Sequence, residues 1–299
     1  MELNLINKNN EVLDLLNNQH RFILTAAEAM HGVDTDISES ETPYSDGTEV
    51  TNVKALPRSI ELTFALVGNV QESIKFFTSY VKSKQYVTLV ENDGEREITI
   101  KGVATIPPYT RMADLCKITL TIYCNKPYWQ DLNEAVNIIS QYISLLYFPE
   151  AGQYFTADGR PFGVIDTSYT KTINNDGDTS TGLNIKITAL QDVSNPRISC
   201  STGEQNGYYM QLNVNLKSGD IVEISTIKNN KYILINGSDT YNGNPTISYL
   251  EFNGNDWLQL EEGENTFNIS PEDDSIYFSL NYRRLYEWYL ILNYWINIL

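Results

Sequence analysis

The side chains able to do chemistry in this chain are few, and their spacing does not suit catalysis. His20 and His31 are its two histidines, and a metal site would need both to converge with a carboxylate. The acidic pairs at 261–262 and 273–274 lie in predicted turns, whereas glycosidases place two carboxyl groups on opposite sides of the bond they cleave. The sequence shows no nucleophile elbow, zinc-protease motif, phosphate loop or dinucleotide fingerprint. We therefore expect no enzymatic activity.

One acidic turn carries oxygen ligands of the kind that Ca²⁺ prefers. The run NNDGD at 174–178 supplies amide and carboxylate oxygens, but it lacks the glycine position and the closing glutamate of an EF-hand loop. A tight β-turn explains the same residues more simply, because Asn, Asp and Gly are the common turn formers. The sequence predicts no metal, no catalytic residue and no cofactor.

Aromatic side chains in the second half could instead stack on sugar rings. The candidates are Tyr208, Tyr209, Tyr241, Tyr249 and Trp257. Burial in the core of a β-sandwich, or in a contact between subunits, is the favoured explanation for them. A glycan-binding module that recognises the host stays open as the alternative function.

Charge and cysteine content set broad limits on partners and location. The chain has 299 residues, with 21 basic and 38 acidic side chains, so its formal charge is −17. That balance argues against gripping nucleic acid through its phosphates, which requires a basic surface. Cys116, Cys124 and Cys200 form no CxxC motif and are expected to be reduced and buried, as suits synthesis in a cytoplasm. No signal peptide or membrane-spanning run is expected, and so no membrane partner.

The first half reads as a sheet with one helix. Apolar runs at 3–6, 21–24, 60–66, 86–91, 96–105 and 115–123 predict strands. Between them, residues 69–81 carry apolar side chains at helical spacing, with Asn69 in the capping position. The sequence NDG at 92–94 predicts a hairpin turn, since glycine tolerates the positive φ of such turns. A sheet covered by one helix is a compact unit.

Residues 30–56 differ from this pattern. They are polar and acidic at first and then alternate weakly, so they cannot bury enough surface to form a core of their own. Long insertions inside a compact domain are usually functional or disordered. We expect a projecting arm that lies on a neighbouring subunit, with a mobile surface loop as the other explanation.

The remainder of the chain predicts a helix, a linker and a β-domain. Residues 131–148 place apolar side chains at helical spacing and end before Pro149, which predicts an amphipathic helix. Residues 150–163 are rich in Gly, Asp and Pro and read as a linker. From residue 164, many short strands separated by Gly and Asn turns predict an antiparallel sandwich. The apolar segment 285–299 is too short to cross a bilayer.

Several runs, taken in order, resemble the distal tail proteins of siphophages, the ring component of the tail hub or baseplate. They are PRSIELTF at 57–64, INNDGD at 173–178, TGL at 181–183, NPRI at 195–198, LKSGDI at 216–221, WLQL at 257–260 and EGEN at 262–265. No single run is diagnostic, but their order and spacing together are fairly specific. The resemblance covers about residues 1–282, and the apolar segment 285–299 departs from it.

This resemblance implies a fold and a role. The fold is mainly β with some helix: an N-terminal α+β sheet or split-barrel domain with one packed helix and an extended arm, then a galectin-like antiparallel β-sandwich. The domains would be residues 1–130 with the arm at 30–56, 131–163 as helix and linker, and 164–299. The role would be a homohexameric ring at the distal end of the tail in the virion, through which DNA passes without being gripped.

The resemblance also implies partners and contact residues. The ring would join the tail tube protein on one side to tail-tip, tail-associated or receptor-binding proteins on the other. The arm would lie on the next subunit, and the strand at 60–66 with its sheet neighbours would close contacts between subunits. The candidate interface residues are Val33, Ile37, Tyr44, Val50, Val53, Ile60, Leu62 and Phe64.

Overall fold

The structure, a computed structural model, forms two compact units. The first contains residues 1–132 and 285–299, and the second contains residues 133–284. The described residues are 2–17, 22–30, 32–41, 46–66, 68–106, 110–112, 115–138, 140–144, 163–167, 169–254, 257–271 and 275–287.

The first unit is one antiparallel sheet, one helix and a separate two-stranded ribbon. Its elements are β1 (Glu2–Ile6), β2 (Val12–Asp14), β3 (Phe22–Glu28), β4 (Thr35–Glu41), β5 (Thr48–Ala55), β6 (Arg58–Leu66), α1 (Val70–Tyr80), β7 (Tyr86–Asn92), β8 (Glu97–Thr105), β9 (Thr110–Met112), β10 (Leu115–Cys124) and β11 (Trp129–Asp131). The sheet runs in the order β2-β1-β7-β8-β10-β6-β3, with β9 paired to β10 and β11 paired to β8. The strands and helix predicted for this half are confirmed.

Alternation along β6 builds the core of this unit. Ile60, Leu62 and Phe64 are all fully buried, whereas Ser59 and Glu61 on the other face are exposed. The helix α1 closes the core through Phe77, whose ring centroid lies 5.2 Å from that of Phe64 and 5.9 Å from that of Phe22. Aromatic rings meeting at these angles add specific contacts to the area they bury. The helix is therefore fixed to the sheet by an aromatic cluster.

Local signals define the helix start and the tightest hairpin. Asn69 occupies the N-cap position of α1, as predicted, but its side chain makes no capping hydrogen bond. The hairpin between β7 and β8 turns at Gly94, which has φ +96°. Its amide donates to Oδ1 of Asn92 at 2.8 Å, and the amide of Arg96 donates to Oδ1 of Asp93 at 2.6 Å. The hairpin turn predicted at 92–94 is therefore present, with glycine at the position of positive φ.

The second unit is a β-sandwich. Its elements are β12 (Ala135–Ile138), β13 (Ser140–Ser144), β14 (Gly163–Thr167), β15 (Thr170–Asn175), β16 (Thr181–Gly182), β17 (Asn184–Ala189), β18 (Val193–Ser194), β19 (Arg197–Cys200), β20 (Tyr209–Leu212), β21 (Asn215–Leu216), β22 (Ile221–Ser225), β23 (Tyr232–Ile235), β24 (Thr240–Tyr241), β25 (Asn244–Pro245), a 3-10 helix (Thr246–Tyr249), β26 (Leu250–Phe252), β27 (Gln259–Leu260), β28 (Gly263–Ser270) and β29 (Ile276–Tyr282). One five-stranded sheet runs β12-β29-β17-β22-β23, and the other runs β15-β28-β19-β20-β26.

Inward side chains of both sheets fill a single core. Ile187 and Phe278 come from the first sheet, and Ile198 and Phe267 come from the second. The outward side chains are polar on most strands, as expected where two antiparallel sheets pack face to face. The predicted antiparallel sandwich is confirmed.

The helix predicted over 131–148 is wrong. The chain forms β12 there and pairs with β29, matching Ala135 to Tyr282 and Ile138 to Ser279, and β13 follows. Val136, counted as part of the apolar stripe, is 61% exposed. Seven apolar positions fit helical spacing, but β-branched side chains favour strands and the neighbouring strand supplies the backbone partners. Tertiary pairing overrode the periodicity.

Three further observations complete the fold. After β29 the chain returns to the first sheet, where β30 (Leu285–Tyr286) pairs with β11. These residues therefore belong to the first unit, although the sequence analysis assigned them to the second domain. Cys116, Cys124 and Cys200 are buried and free, as predicted. Among the described residues, no helix is long and apolar enough to span a membrane.

Candidate assembly interface

The ribbon of β4 and β5 has one apolar face. Its register sets Ile37 directly opposite Val53 and, beyond a bulge, Glu39 opposite Val50. These pairs share a face because side chains alternate along a strand. Ile37, Val50 and Val53 are 52%, 55% and 59% exposed. Three aliphatic side chains on one face of an exposed ribbon are typical of a surface covered by a partner.

The segment as a whole is strongly acidic, and the face of the ribbon opposite the aliphatic side chains is polar. Asp36 pairs with Lys54 there, and Ser38 pairs with Asn52. Between residues 33 and 56 the chain has six acidic side chains and a single basic one. A surface that receives this ribbon should therefore offer apolar side chains together with positive charge.

A hydrogen-bonded root holds the ribbon to its sheet. The carbonyl of Met30 accepts from Nη1 of Arg58 and from Nε1 of Trp129, each at 2.9 Å. Within the root, the amide of Leu56 donates to the carbonyl of Asp34 at 2.7 Å. Met30, Arg58 and Trp129 are all buried, so these bonds are shielded from water. These hydrogen bonds therefore fix the base of the exposed ribbon on the sheet.

Arg58 is the unusual member of this root. Its guanidinium is only 5% exposed, and among the described residues Nε and Nη2 have no hydrogen-bond partner. Burial lowers the pKa of Arg58, while the neighbouring Cys124, Glu287, Tyr128 and Asp34 act in the opposite direction. Sequence reasoning quoted Arg58 only as part of a motif and missed its role at the root. A buried arginine beside a strand of alternating apolar residues leaves no signal in composition.

The predicted interface residues separate into two groups. Ile37, Val50 and Val53 lie together on the apolar face of the ribbon, and Val33 is half-buried near its root. Tyr44 lies outside the described residues. By contrast, the three candidates on β6 are buried in the core of their own chain. β6 also has β10 on one side and β3 on the other, so both of its hydrogen-bonding edges are already paired.

The aromatic candidates for sugar stacking are engaged within the sandwich. Trp257 is 7% exposed and belongs to the core. The rings of Tyr241 and Tyr249 meet edge to face at 5.6 Å, and Tyr208 packs beside the same core. The guanidinium of Arg197 lies 3.8 Å from the centre of the Tyr209 ring. Core packing therefore accounts for Trp257, Tyr208, Tyr241 and Tyr249, whereas Tyr209 lies half-buried on the outward face of its strand.

The acidic turn at 174–178 is used to shape the chain. Oδ1 of Asn175 accepts from the amide of Gly177 at 3.1 Å, and Nδ2 of Asn175 donates to the carbonyls of Thr179 and Leu260. The side chain of Asn174 donates to that of Asp176. Asn175 is buried and its amide group is committed to these bonds. The turn interpretation therefore accounts for these residues.

The remaining candidate ligands and acids are the two histidines and the two acidic pairs. Across the described ranges, no group of three or more His, Cys, Asp or Glu side chains converges. His20, His31 and the acidic pair at 273–274 fall outside those ranges. Burial, and then the charge of Glu204, raise the pKa of Glu261.

A family model matches part of this chain, and a solved structure shares its fold. Residues 176–286 match the family described as siphovirus-type tail component, C-terminal domain. The fold is similar to that of the Dit protein of phage SPP1, described as a paradigm of the hub adsorption apparatus in phages that infect Gram-positive bacteria. The TM-score is 0.60 at 11% identity, over 95% of this chain and 98% of that one.

Weaker similarity extends to a larger phage assembly. Chains in two structures of the phage p2 baseplate in its activated conformation, with strontium and with calcium, align with TM-scores of 0.46 and 0.42. Their identities are 12% and 13%, each over 94% of this chain and 97% of that one. No curated protein matches this chain by sequence.

Proposed function

We propose that this chain, a member of the siphophage distal tail protein family, assembles into a homohexameric ring that joins the tail tube to the tail tip. The family match and the shared fold confirm the predicted resemblance, and the chain is a structural component of a phage tail. The ring, its six-fold symmetry, its partners and the passage of DNA are our proposal. So is the absence of any reaction for the protein to catalyse.

The observation that carries this proposal is the exposed apolar face of the ribbon. A single chain gains nothing by holding Ile37, Val50 and Val53 in water, and burying one such side chain contributes about 1.5–3 kcal/mol. The rigid root fixes the direction of the ribbon before it meets a partner, so little further ordering is needed on assembly. A head-to-tail contact of this kind closes into a ring when the rotation between copies allows it.

The partners would meet this ring on its two sides. The tail tube protein would dock on one side, and tail-tip, tail-associated or receptor-binding proteins on the other. The formal charge of −17 would disfavour binding of DNA phosphates along any central passage. The same charge would keep the free protein soluble before assembly.

The experiment is native mass spectrometry of the purified chain across a range of concentrations. We expect rings of six subunits for the parent protein. The double variant Ile37→Ser/Val53→Ser should shift the population to single chains, because it removes apolar side chains that only a partner covers. Removal of residues 33–54 should do the same.

A matched control lies on the opposite face of the ribbon. Ser38→Ala/Asn52→Ser changes a pair of similar exposure one position away, and it should leave the rings intact. At concentrations where parent and variants are single chains, the point variants should keep the thermal transition of the parent, since the changed residues are exposed in the single chain. A parent protein that stays monomeric at every concentration, with or without its tail neighbours, would refute the ring.

A further inference from the structure

The outer face of the first sheet carries an exposed aromatic row. Tyr86 pairs with Val103, and Val103 pairs with Tyr123, so the three side chains lie side by side on β7, β8 and β10. The two tyrosines are 60% and 49% exposed, and Val103 is half-buried between them. Neighbouring strands are about 4.8 Å apart, so the row extends over roughly 10 Å.

We propose that this row receives the apolar face of the ribbon from a neighbouring copy of the chain. The proposal rests on the ring proposed above and names the surface that would complete it. Ile37, Val50 and Val53 would then pack against Tyr86, Val103 and Tyr123. The occupant is a second copy because the donor ribbon and the acceptor row both belong to this chain and complement each other.

The two surfaces match in size and in kind. Ile37 and Val53 are directly opposite across the ribbon, so their Cβ atoms are about 5 Å apart. Val50 belongs to the next pair on the same face, about 7 Å along the ribbon. The apolar patch of the ribbon therefore has about the length of the aromatic row. Aliphatic side chains on one β-surface pack readily against rings on another.

Charge gives the ribbon a direction on this surface. On the apolar face, Glu39 lies directly opposite Val50, and Glu41 lies one pair further along the ribbon. Next to Val103 on the outer face lies Lys101, whose Nζ is 5.3 Å from the centre of the Tyr86 ring. Placing the acidic end of the ribbon over Lys101 brings opposite charges together.

The acidic residues of the outer face agree with that direction. Glu61 lies on the other side of the row from Lys101, since Thr121 pairs with both Thr105 and Glu61. The end of the ribbon that would face Glu61 has the pair Thr35 and Ala55, which is uncharged. Glu97 is four residues from Lys101 along β8, about 13 Å away. The reverse orientation would set acids of the ribbon against Glu61.

Cysteine cross-linking tests the contact directly. The three natural cysteines are buried, so an introduced pair can be joined selectively. In Val53→Cys/Tyr123→Cys, a short bismaleimide added to the assembled protein should link one subunit to the next. We expect a ladder of covalent oligomers on denaturing gels, because every subunit carries both halves of the contact.

The control places the first cysteine one residue away. In Asn52→Cys/Tyr123→Cys the thiol lies on the opposite face of the ribbon, and the ladder should be absent. Each single variant should also give none, apart from traces from random collision. Tyr86→Ser/Tyr123→Ser should weaken association at least about tenfold, whereas Thr121→Ser on the same face should not.

Three results would overturn the proposal. An assembled parent with no ladder, or with equal ladders for both pairs, would leave the ring standing and reject this row as its acceptor. A cross-link confined to the single chain would show that the ribbon lies on its own sheet. A parent that never assembles would reject the ring, and this inference with it.

Discussion

Two consecutive strands of the first unit share an alternating pattern of apolar and polar side chains, but one is buried on one face and the other is exposed on both. β5 and β6 both alternate apolar and polar side chains, and only Leu56 and Pro57 separate them. Every residue of β6 on its inner face is buried, whereas β5 is exposed up to its last residue. The difference lies in the partners: β6 has a strand on each side and α1 against its face, while β5 has only β4. An alternating apolar pattern therefore indicates that one face of a strand will be covered, but it does not indicate whether the same chain or another chain covers it.

The largest expected effect is on the unfolding free energy of the single chain, where a substitution in β6 should cost far more than one in the ribbon. Phe64→Ala removes a fully buried ring that touches Phe22 and Phe77, and such truncations cost about 3–5 kcal/mol of unfolding free energy. Ile37→Ala should change it by less than about 0.5 kcal/mol, because the residue is exposed in the isolated chain. Urea unfolding of both variants under conditions that keep the protein monomeric measures the contrast. Equal losses would mean that the ribbon folds onto its own chain.

A buried acid tests whether water is excluded from the core side of the first sheet, as the comparison of β5 with β6 implies. Glu91 on β7 is fully buried, and neither carboxylate oxygen has a hydrogen-bond partner among the described residues. Burial, and then the charge of Asp93, raise the pKa of Glu91 from 4.5 to about 7. The folded state thus holds the proton more tightly than the unfolded state. Its stability should be full below about pH 4.5 and should fall as the pH rises to about 7.

The matching variant removes this dependence. Glu91→Gln should stabilise the first unit by about 1–3 kcal/mol at pH 8 and by little at pH 5, because only the charged carboxylate is penalised. Urea unfolding at both pH values measures the effect. Asp93→Asn, which changes the exposed acid nearby, is the control and should have a much smaller effect. A gain of equal size at both pH values would show that charge is not the cause.

The sequence predicted most of the first unit, and physical reasons explain where it failed. The strand at 60–66 and the helix at 69–81 have unambiguous periods, so both are present. Residues 135–138 and 140–144 fit the helical period and still form strands, because the strands at 276–282 and 163–167 pair with them, which no local pattern reveals. Ile37, Val50 and Val53 were found through their position in an acidic arm. Arg58 and Trp129 were missed, because their shared acceptor, the carbonyl of Met30, is a backbone atom.

The root of the ribbon should give a smaller and more local effect. Trp129→Phe removes the hydrogen bond to the Met30 carbonyl and should cost about 1 kcal/mol. Amide hydrogen exchange should accelerate at Leu56, whose N–H donates to the carbonyl of Asp34, and at Gly32 beside the root, whose N–H donates to the carbonyl of Glu287. Tyr80→Phe removes hydrogen bonds to the carbonyls of Leu5 and Glu11 and is the control away from the root. Exchange at Gly32 that rises equally in both variants would indicate general loosening.

The smallest effect should come from an exposed hydrogen bond at the acidic end of the ribbon's apolar face. Oγ1 of Thr48 donates to Oε2 of Glu39 at 2.7 Å in full contact with water, and water can replace that bond. Thr48→Val should therefore change the unfolding free energy by less than about 0.5 kcal/mol. Thr246→Val is the buried counterpart, since Oγ1 of Thr246 donates to the carbonyl of Ile233 at 2.6 Å, and it should cost about 1–3 kcal/mol. If Thr48→Val weakened assembly as strongly as Ile37→Ser/Val53→Ser, the hydrogen bond between Thr48 and Glu39 would carry the contact between copies, and the aliphatic side chains would not.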